Sequence, residues 1–220
     1  AKKYSISRER QEQMALESHL KASKAIEKGE FKDEIIPVND ISEDGCVRPD
    51  TTLESMAQLK PAFDKEGVVT AGTSSPLTDG AAAVIVCSED YAKSNKLKML
   101  AYIRGMAISG CSPEIMGIGP VVSSQKALKR AGLKLEDIDI IEMNEAFAAQ
   151  SLACVDELGI DMSKLNIHGG ALAMGHPLGA SGARITGKAA SLLQNNGARY
   201  ALSTMCVGGG QGCATILERA

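Results

Sequence analysis

IDIIEMNEAFAAQSLACVDELG, residues 138–159, decides how the chain is read. IDIIEM reads as a strand, and NEAFAAQSLACVDELG after it as a helix that stops at Gly159. A strand that runs into a helix is the unit of an α/β sheet, and sites gather at that junction. Asn144 falls there. Downstream, NIHGG (166–170) reads as a short strand or turn and HPLGASGARITGKAASLLQNNG (176–197) as a helix. ARYALSTMCV (198–207) and GCATILER (212–219) read as two strands closing around a glycine-rich turn. Upstream, MLAYIRGMAISG (99–110) reads as a strand. GPVVSSQKALKRAG (119–132) reads as a helix entered at Pro120 and stopped at Gly132. The order β-α-β-α-β-α-β-β predicts a layered α/β domain over 99–220.

The first hundred residues are less regular. SRERQEQMALESHLKASKAIEK (7–28) predicts an amphipathic helix with Ser7 as N-cap and Gly29 as stop. FKDEIIPV (31–38) reads as a strand. Residues 39–77 read as a surface excursion holding one short helical piece, LESMAQLKPAF. DGAAAVIVCS (79–88) is apolar and strand-length, and a short helix capped by Ser88 follows it.

Composition narrows the function. The 220 residues are 44% hydrophobic and 23% charged, enough to bury a real core. A net charge of −3 argues against broad binding to nucleic acid or membrane surfaces. Aromatic content of 3%, without Trp, argues against base stacking. No stretch is apolar for long enough to span a bilayer, and AKKYSISRER is too polar for a signal peptide. Six scattered cysteines show no CxxC pair and no zinc spacing, which predicts free thiols, no metal site and a reducing, cytoplasmic setting.

Three loops carry candidate chemistry: MNEAF (143–147), MGHPLG (174–179) and MCVGGG (205–210). His176 precedes Pro177, which is expected at the first position of a helix. There the helix dipole favours neutral imidazole, a base for a thiol. The small neighbours read as clearing room around the ring, with a packed or capping histidine as the competing reading. Cys206 is followed by three glycines whose N–H groups form an anion-binding concavity, expected to lower the thiol pKa. A buried structural cysteine is the competing reading there. For Asn144, simple N-capping competes. GHPLGASG lacks the Lys and hydroxyl of a phosphate-binding loop and does not match GxGxxG.

Taken together, NEAFAAQ, GGALAMGHPLGASGAR and MCVGGGQG resemble the three C-terminal signatures of the thiolase family, in order. The resemblance extends upstream through PEIMGIGP, LESMAQLKPAFDKEGVVTAGTSSPLTDGAAAVIV, FKDEIIPV and SRERQEQMALESH, essentially the whole chain. It implies the thiolase fold, with Claisen condensation and thiolytic cleavage of 3-oxoacyl-CoA. It assigns His176 to activation of a nucleophilic cysteine and to an oxyanion hole shared with a water held by Asn144. Cys206 moves the proton at the α-carbon, and the Gly208 N–H helps form a second oxyanion hole. Coenzyme A thioesters are substrates, and no cofactor is implied. Arg48, Ser55 and Ser75 match positions that meet the polar parts of coenzyme A. Leu59 and Ala62, with Ala146 and Phe147, match further coenzyme A positions, and Phe63 and Met116 match apolar walls for its pantetheine arm, with core packing as the competing reading.

The resemblance further implies a division into a coenzyme-A-binding loop region (1–77), the last strand and helix of the N-terminal thiolase domain (78–98) and a whole C-terminal domain (99–220). None of Cys46, Cys87 and Cys111 lies in the motif of the family's nucleophile. The expectation is therefore a chain inactive by itself, completed by an N-terminal half on a companion chain, with the assembly a dimer or tetramer. NEAFAAQ and GASGAR resemble biosynthetic acetyl-CoA C-acetyltransferases, the main expectation. STMCVGGGQGCATILER resembles degradative 3-ketoacyl-CoA thiolases, the alternative. A non-catalytic coenzyme-A-binding assembly module is the reading of another class. From the residues alone, a Cys/His hydrolase built on Cys206 and His176 also stays open.

Overall fold

The computed structural model describes residues 1–220. In chain order the helices are α1 Arg8–Glu27, α2 Leu53–Ala57, α3 Glu89–Ser94, α4 Gly119–Ala131, α5 Ala148–Leu158, α6 Ala171–Met174 and α7 Leu178–Asn195. The strands are β1 Ala101–Gly110, β2 Ile140–Met143, β3 Tyr200–Val207 and β4 Gln211–Arg219. The chain divides into two compact units. The first comprises Ala1–Asp79, Asn144–Gly159 and Asn166–His176; the second comprises Gly80–Met143, Ile160–Leu165 and Pro177–Ala220. No helix is long and apolar enough to cross a membrane.

The second unit is built on one mixed sheet of order β1-β4-β3-β2. β2 runs parallel to β3, and β4 is antiparallel to both β3 and β1. All four residues of β2 are buried: Ile140, Ile141 and Met143, and the charged Glu142 between them. Ser203 bonds to Thr186 of α7, and Thr204 to Ser124 of α4. Adjacent strand residues point to opposite faces, so α4 and α7 cover opposite faces of the sheet. Leu192, Leu193, Leu202 and Ile216 form its fully buried centre.

The β3–β4 hairpin turns on Gly208–Gly210, with Val207 opposite Gln211. Gly209 and Gly210 have φ of 86° and 90°, backbone that favours glycine. The Gly210 carbonyl accepts the N–H of Cys111 at 2.7 Å, tying the end of β1 to this turn. Two residues further, a Cβ on Gly212 would lie 2.1 Å from the Gly119 carbonyl oxygen. The start of α4 therefore rests directly on the β4 backbone.

In the first unit α1 begins where Ser7 Oγ accepts the Arg10 N–H at 3.3 Å. It ends before Gly29, whose φ is 72°. Its buried face is small, with Ala15 and Ala22 fully inaccessible. This allows the backbone at Gly169 to approach so closely that a Cβ there would lie 2.5 Å from the Ser18 carbonyl.

Several expected elements differ. Residues 31–38 are not a strand: 31–34 form turns, with the Glu34 and Ile35 N–H groups both bonded to the Phe31 carbonyl, and Val38 makes only an isolated bridge to Ile41. Ile36 is 84% exposed, so apolar content here buys no burial. Residues 79–88 join no ladder, although Val84 touches α7 at Gly187. Apolarity marks a segment as strand-like, but only a neighbouring strand makes a ladder. α5 starts at Ala148, four residues after Asn144, with Phe147 as its N-cap. The NEAF backbone is engaged elsewhere: Phe147 bridges to Ser74, and the Ala146 carbonyl accepts the Ser75 N–H at 3.0 Å. Pro177 caps α7 from outside the helix, one position earlier than expected. NIHGG is a turn, and α6 is an unexpected single turn of helix.

Candidate active site

Asn144 follows β2 and is fully buried, at 0% exposure. Neither its Oδ1 nor its Nδ2 has a hydrogen-bond partner. It does not cap α5, so the capping reading fails. An unsatisfied buried amide costs roughly 1–3 kcal/mol and therefore calls for a reason. A bound water or ligand oxygen is the simplest completion.

His176 is half-buried and is the last residue of the first unit, two residues beyond α6. The glycines before it do not clear room around the imidazole. A Cβ on Gly170 would lie 2.2 Å from the Glu145 carboxyl carbon, and one on Gly175 2.1 Å from Thr78 Oγ1. They are small because other parts of the chain fill the space. Gly179 does face open space.

Glu145 is a residue that the sequence reading passed over. It is buried and accepts hydrogen bonds from Ser18 Oγ at 2.7 Å, Asn166 Nδ2 at 2.6 Å and the Leu172 N–H at 3.2 Å. Its clue in the sequence is weak: a charged residue directly after Asn144 at the strand–helix junction.

Several coenzyme A candidates meet in this unit. The rings of Phe63 and Phe147 make an edge contact at 5.9 Å, and Phe63 is 72% exposed. Ser75 bonds to Ala146, and the Ala62 N–H donates to the Val69 carbonyl at 2.9 Å. Leu59 packs over Gly72. Ser55 is committed to a capping box with Thr52, donating to its carbonyl at 2.8 Å. Arg48 is exposed, and its backbone N–H donates to His19 Nδ1 at 3.1 Å.

That bond makes the Arg48 loop sensitive to pH. Burial, reinforced by the Arg48 charge and opposed by Asp50, lowers the His19 pKa. Folding thus favours neutral His19. Its contribution is complete above the unfolded value of 6.5 and is lost as pH falls through the lower folded value. The thermal midpoint of the wild type is expected to fall more steeply on acidification than that of His19→Asn. Parallel pH curves would show that His19 contributes nothing.

Met116, Cys206 and Gly208 belong to the second unit. The Cys111 thiol lies 3.7 Å from the Met116 carbonyl. Cys206 sits near the end of β3 opposite Gly212 and is 4% exposed. Its thiol is pushed up to about 11, not lowered: burial dominates, a bond to its own backbone opposes, and Cys111 adds to the rise. Gly208 is exposed in the hairpin turn, and its carbonyl accepts Gln211 Nε2 at 3.2 Å. The glycine N–H groups do not offset the cost of an anion buried this deeply. At neutral pH Cys206 is a protonated thiol, suited to giving a proton.

The model of the thiolase N-terminal domain matches residues 1–90, and that of the thiolase C-terminal domain matches residues 97–219. A 3-ketoacyl-CoA thiolase of Vibrio parahaemolyticus is 51% identical over 99% of this chain and 59% of its own length. One from Marinobacter nauticus is 50% identical over the whole chain and 59% of its own length. Human mitochondrial 3-ketoacyl-CoA thiolase in complex with CoA superposes with a TM-score of 0.95 at 46% identity, over 100% of this chain and 57% of that one. Bacillus anthracis acetyl-CoA acetyltransferase gives 0.94 at 44% identity, over 100% and 58%. The chain thus spans about three fifths of the length of the curated relatives it matches. With both family domains matched in order, this α/β chain belongs to the thiolase family.

Proposed function

We propose that this chain carries proton-transfer and oxyanion-binding residues of a 3-ketoacyl-CoA thiolase, an acyltransferase that cleaves 3-oxoacyl-CoA with coenzyme A. The observation that carries the catalytic reading is the fully buried, unsatisfied amide of Asn144. A module that only binds coenzyme A has no need of it. The substrate class rests on the relatives named 3-ketoacyl-CoA thiolase at 50–51% identity. They favour the degradative reading over the acetyl-CoA C-acetyltransferase expected from NEAFAAQ and GASGAR.

In the proposed reaction a cysteine thiolate, made by proton transfer to His176, attacks the 3-oxo carbon of the substrate. The resemblance places that cysteine outside the segment matched here. The C2–C3 bond then breaks, and its electron pair goes to C2 as the enolate of acetyl-CoA. Cys206 gives its proton to C2, and acetyl-CoA leaves. The thiol of coenzyme A gives its proton to the Cys206 thiolate and takes the acyl group, and the freed cysteine recovers its proton from His176. His176 and the Asn144-held water stabilise one oxyanion, and the Gly208 N–H helps stabilise the other. The raised pKa of Cys206 suits this direction, because the resting thiol already holds the proton the enolate needs. Phe63 and Phe147, with Leu59, Ala62 and Ala146, are assigned to an apolar surface for pantetheine, Ser75, bonded to Ala146, to a polar contact beside it, and Arg48 to a polar part of coenzyme A.

The test is thiolysis by the full-length protein that contains this chain, with acetoacetyl-CoA and a long-chain 3-oxoacyl-CoA compared by kcat/KM. The longer substrate is expected to be preferred by about tenfold or more, the scale of added apolar burial. Turnover confined to acetoacetyl-CoA would restore the biosynthetic reading. Coenzyme A binding without turnover of either would favour a non-catalytic module.

A further inference from the structure

Glu145 lies within the first unit, beside Asn144 in the chain, and three segments converge on its carboxylate. Ser18 comes from α1, Asn166 opens the turn before α6, and Leu172 is in the first turn of α6. Ser18 does double service, because its Oγ also accepts the Gly170 N–H at 2.9 Å. The N-terminal N–H groups of α6, at Gly170 and Leu172, are thereby satisfied directly or indirectly by Glu145. α6 is one turn long, too short to hold its shape unaided. Its far end leads through Gly175 into His176. Gly170 lies flat against the carboxyl group, with no room for a Cβ between them.

We propose that Glu145 is a positioning residue for both Asn144 and His176. It fixes Asn144 through their shared backbone, and it fixes His176 by capping the single helical turn that delivers it. The proposal rests on the catalytic roles given to those two residues above. Charge is not what the clamp needs most. Glutamine at 145 keeps one oxygen to accept from Ser18 Oγ and the Leu172 N–H, the two bonds that cap α6.

The experiment uses the full-length protein with Glu145→Ala, Glu145→Gln and Ser18→Ala. Glu145→Ala is expected to lower kcat by about tenfold, with KM for coenzyme A changed less than about twofold, since small displacements of reacting groups act on the chemical step. It is also expected to shift the pH profile of kcat. Glu145→Gln is expected to recover kcat to within a few-fold of wild type, and Ser18→Ala to fall between. Hydrogen exchange at the amides of Gly170 and Leu172 is expected to quicken in Glu145→Ala and Ser18→Ala, but not in Glu145→Gln. Wild-type kcat and pH profile in Glu145→Ala would overturn the proposal, whatever happens to the thermal midpoint. If Glu145→Ala does not fold, unchanged exchange and kcat in Ser18→Ala overturn it equally. If the wild type turns over no substrate, the catalytic reading fails, while the exchange rates still decide whether Glu145 holds α6.

Discussion

Full-length protein carrying His176→Ala is expected to lose at least about a thousandfold in kcat for thiolysis. The proposed mechanism gives it two roles, and the substitution removes both. A general base taking the proton of the nucleophilic thiol contributes about 10²–10⁴. An oxyanion donor contributes on the order of another hundredfold. KM for coenzyme A should change little, because half-buried His176 is assigned to the reacting atoms and not to the carrier arm. His176→Gln separates the roles, since glutamine keeps an N–H donor but cannot act as a base. It should recover about tenfold over alanine. A loss of only a few-fold in His176→Ala would remove the residue from the mechanism.

Cys206→Ser should lower kcat by about 10²–10⁴, the range for a positioned acid or base. The measurement that isolates this step is the exchange of acetyl-CoA methyl hydrogens with deuterated solvent. Exchange and thiolysis should fall in parallel, because both need a proton moved at the same carbon. The buried thiol adds a pH signature. With the pKa raised to about 11, alkylation of Cys206 should keep accelerating as pH climbs toward that value. An ordinary cysteine levels off near its own pKa of about 8.5. A plateau near pH 8 would mean that the ligand-free thiol is not held protonated, and the acid role would lose its support. Intact hydrogen exchange in Cys206→Ser would give the proton transfer to another group.

Much of this molecule is legible in its sequence. Local rules act within a few residues, and they place α1 between Ser7 and Gly29, α4 between Pro120 and Gly132, and the hairpin on Gly208–Gly210. A cap, a proline ring and a positive φ are properties of the residues themselves. The motifs NEAF, GHP and CVGGG single out Asn144, His176 and Cys206, whose roles are assigned by resemblance.

Tertiary structure decided the rest, because it depends on which distant backbone comes close. Residues 31–38 and 79–88 have strand composition, yet neither forms a ladder with a neighbour in this chain. The start of α5 moved because Ser74 and Ser75 claim the NEAF backbone. The glycines at 169, 170 and 175 are small because α1, Glu145 and Thr78 occupy their Cβ positions. Cys206 carries a raised pKa because desolvation outweighs nearby dipoles, and burial depth is set by the fold as a whole. Glu145 stayed hidden for the same reason: its three donors, from Ser18, Asn166 and Leu172, are far apart in the chain and meet only once it folds.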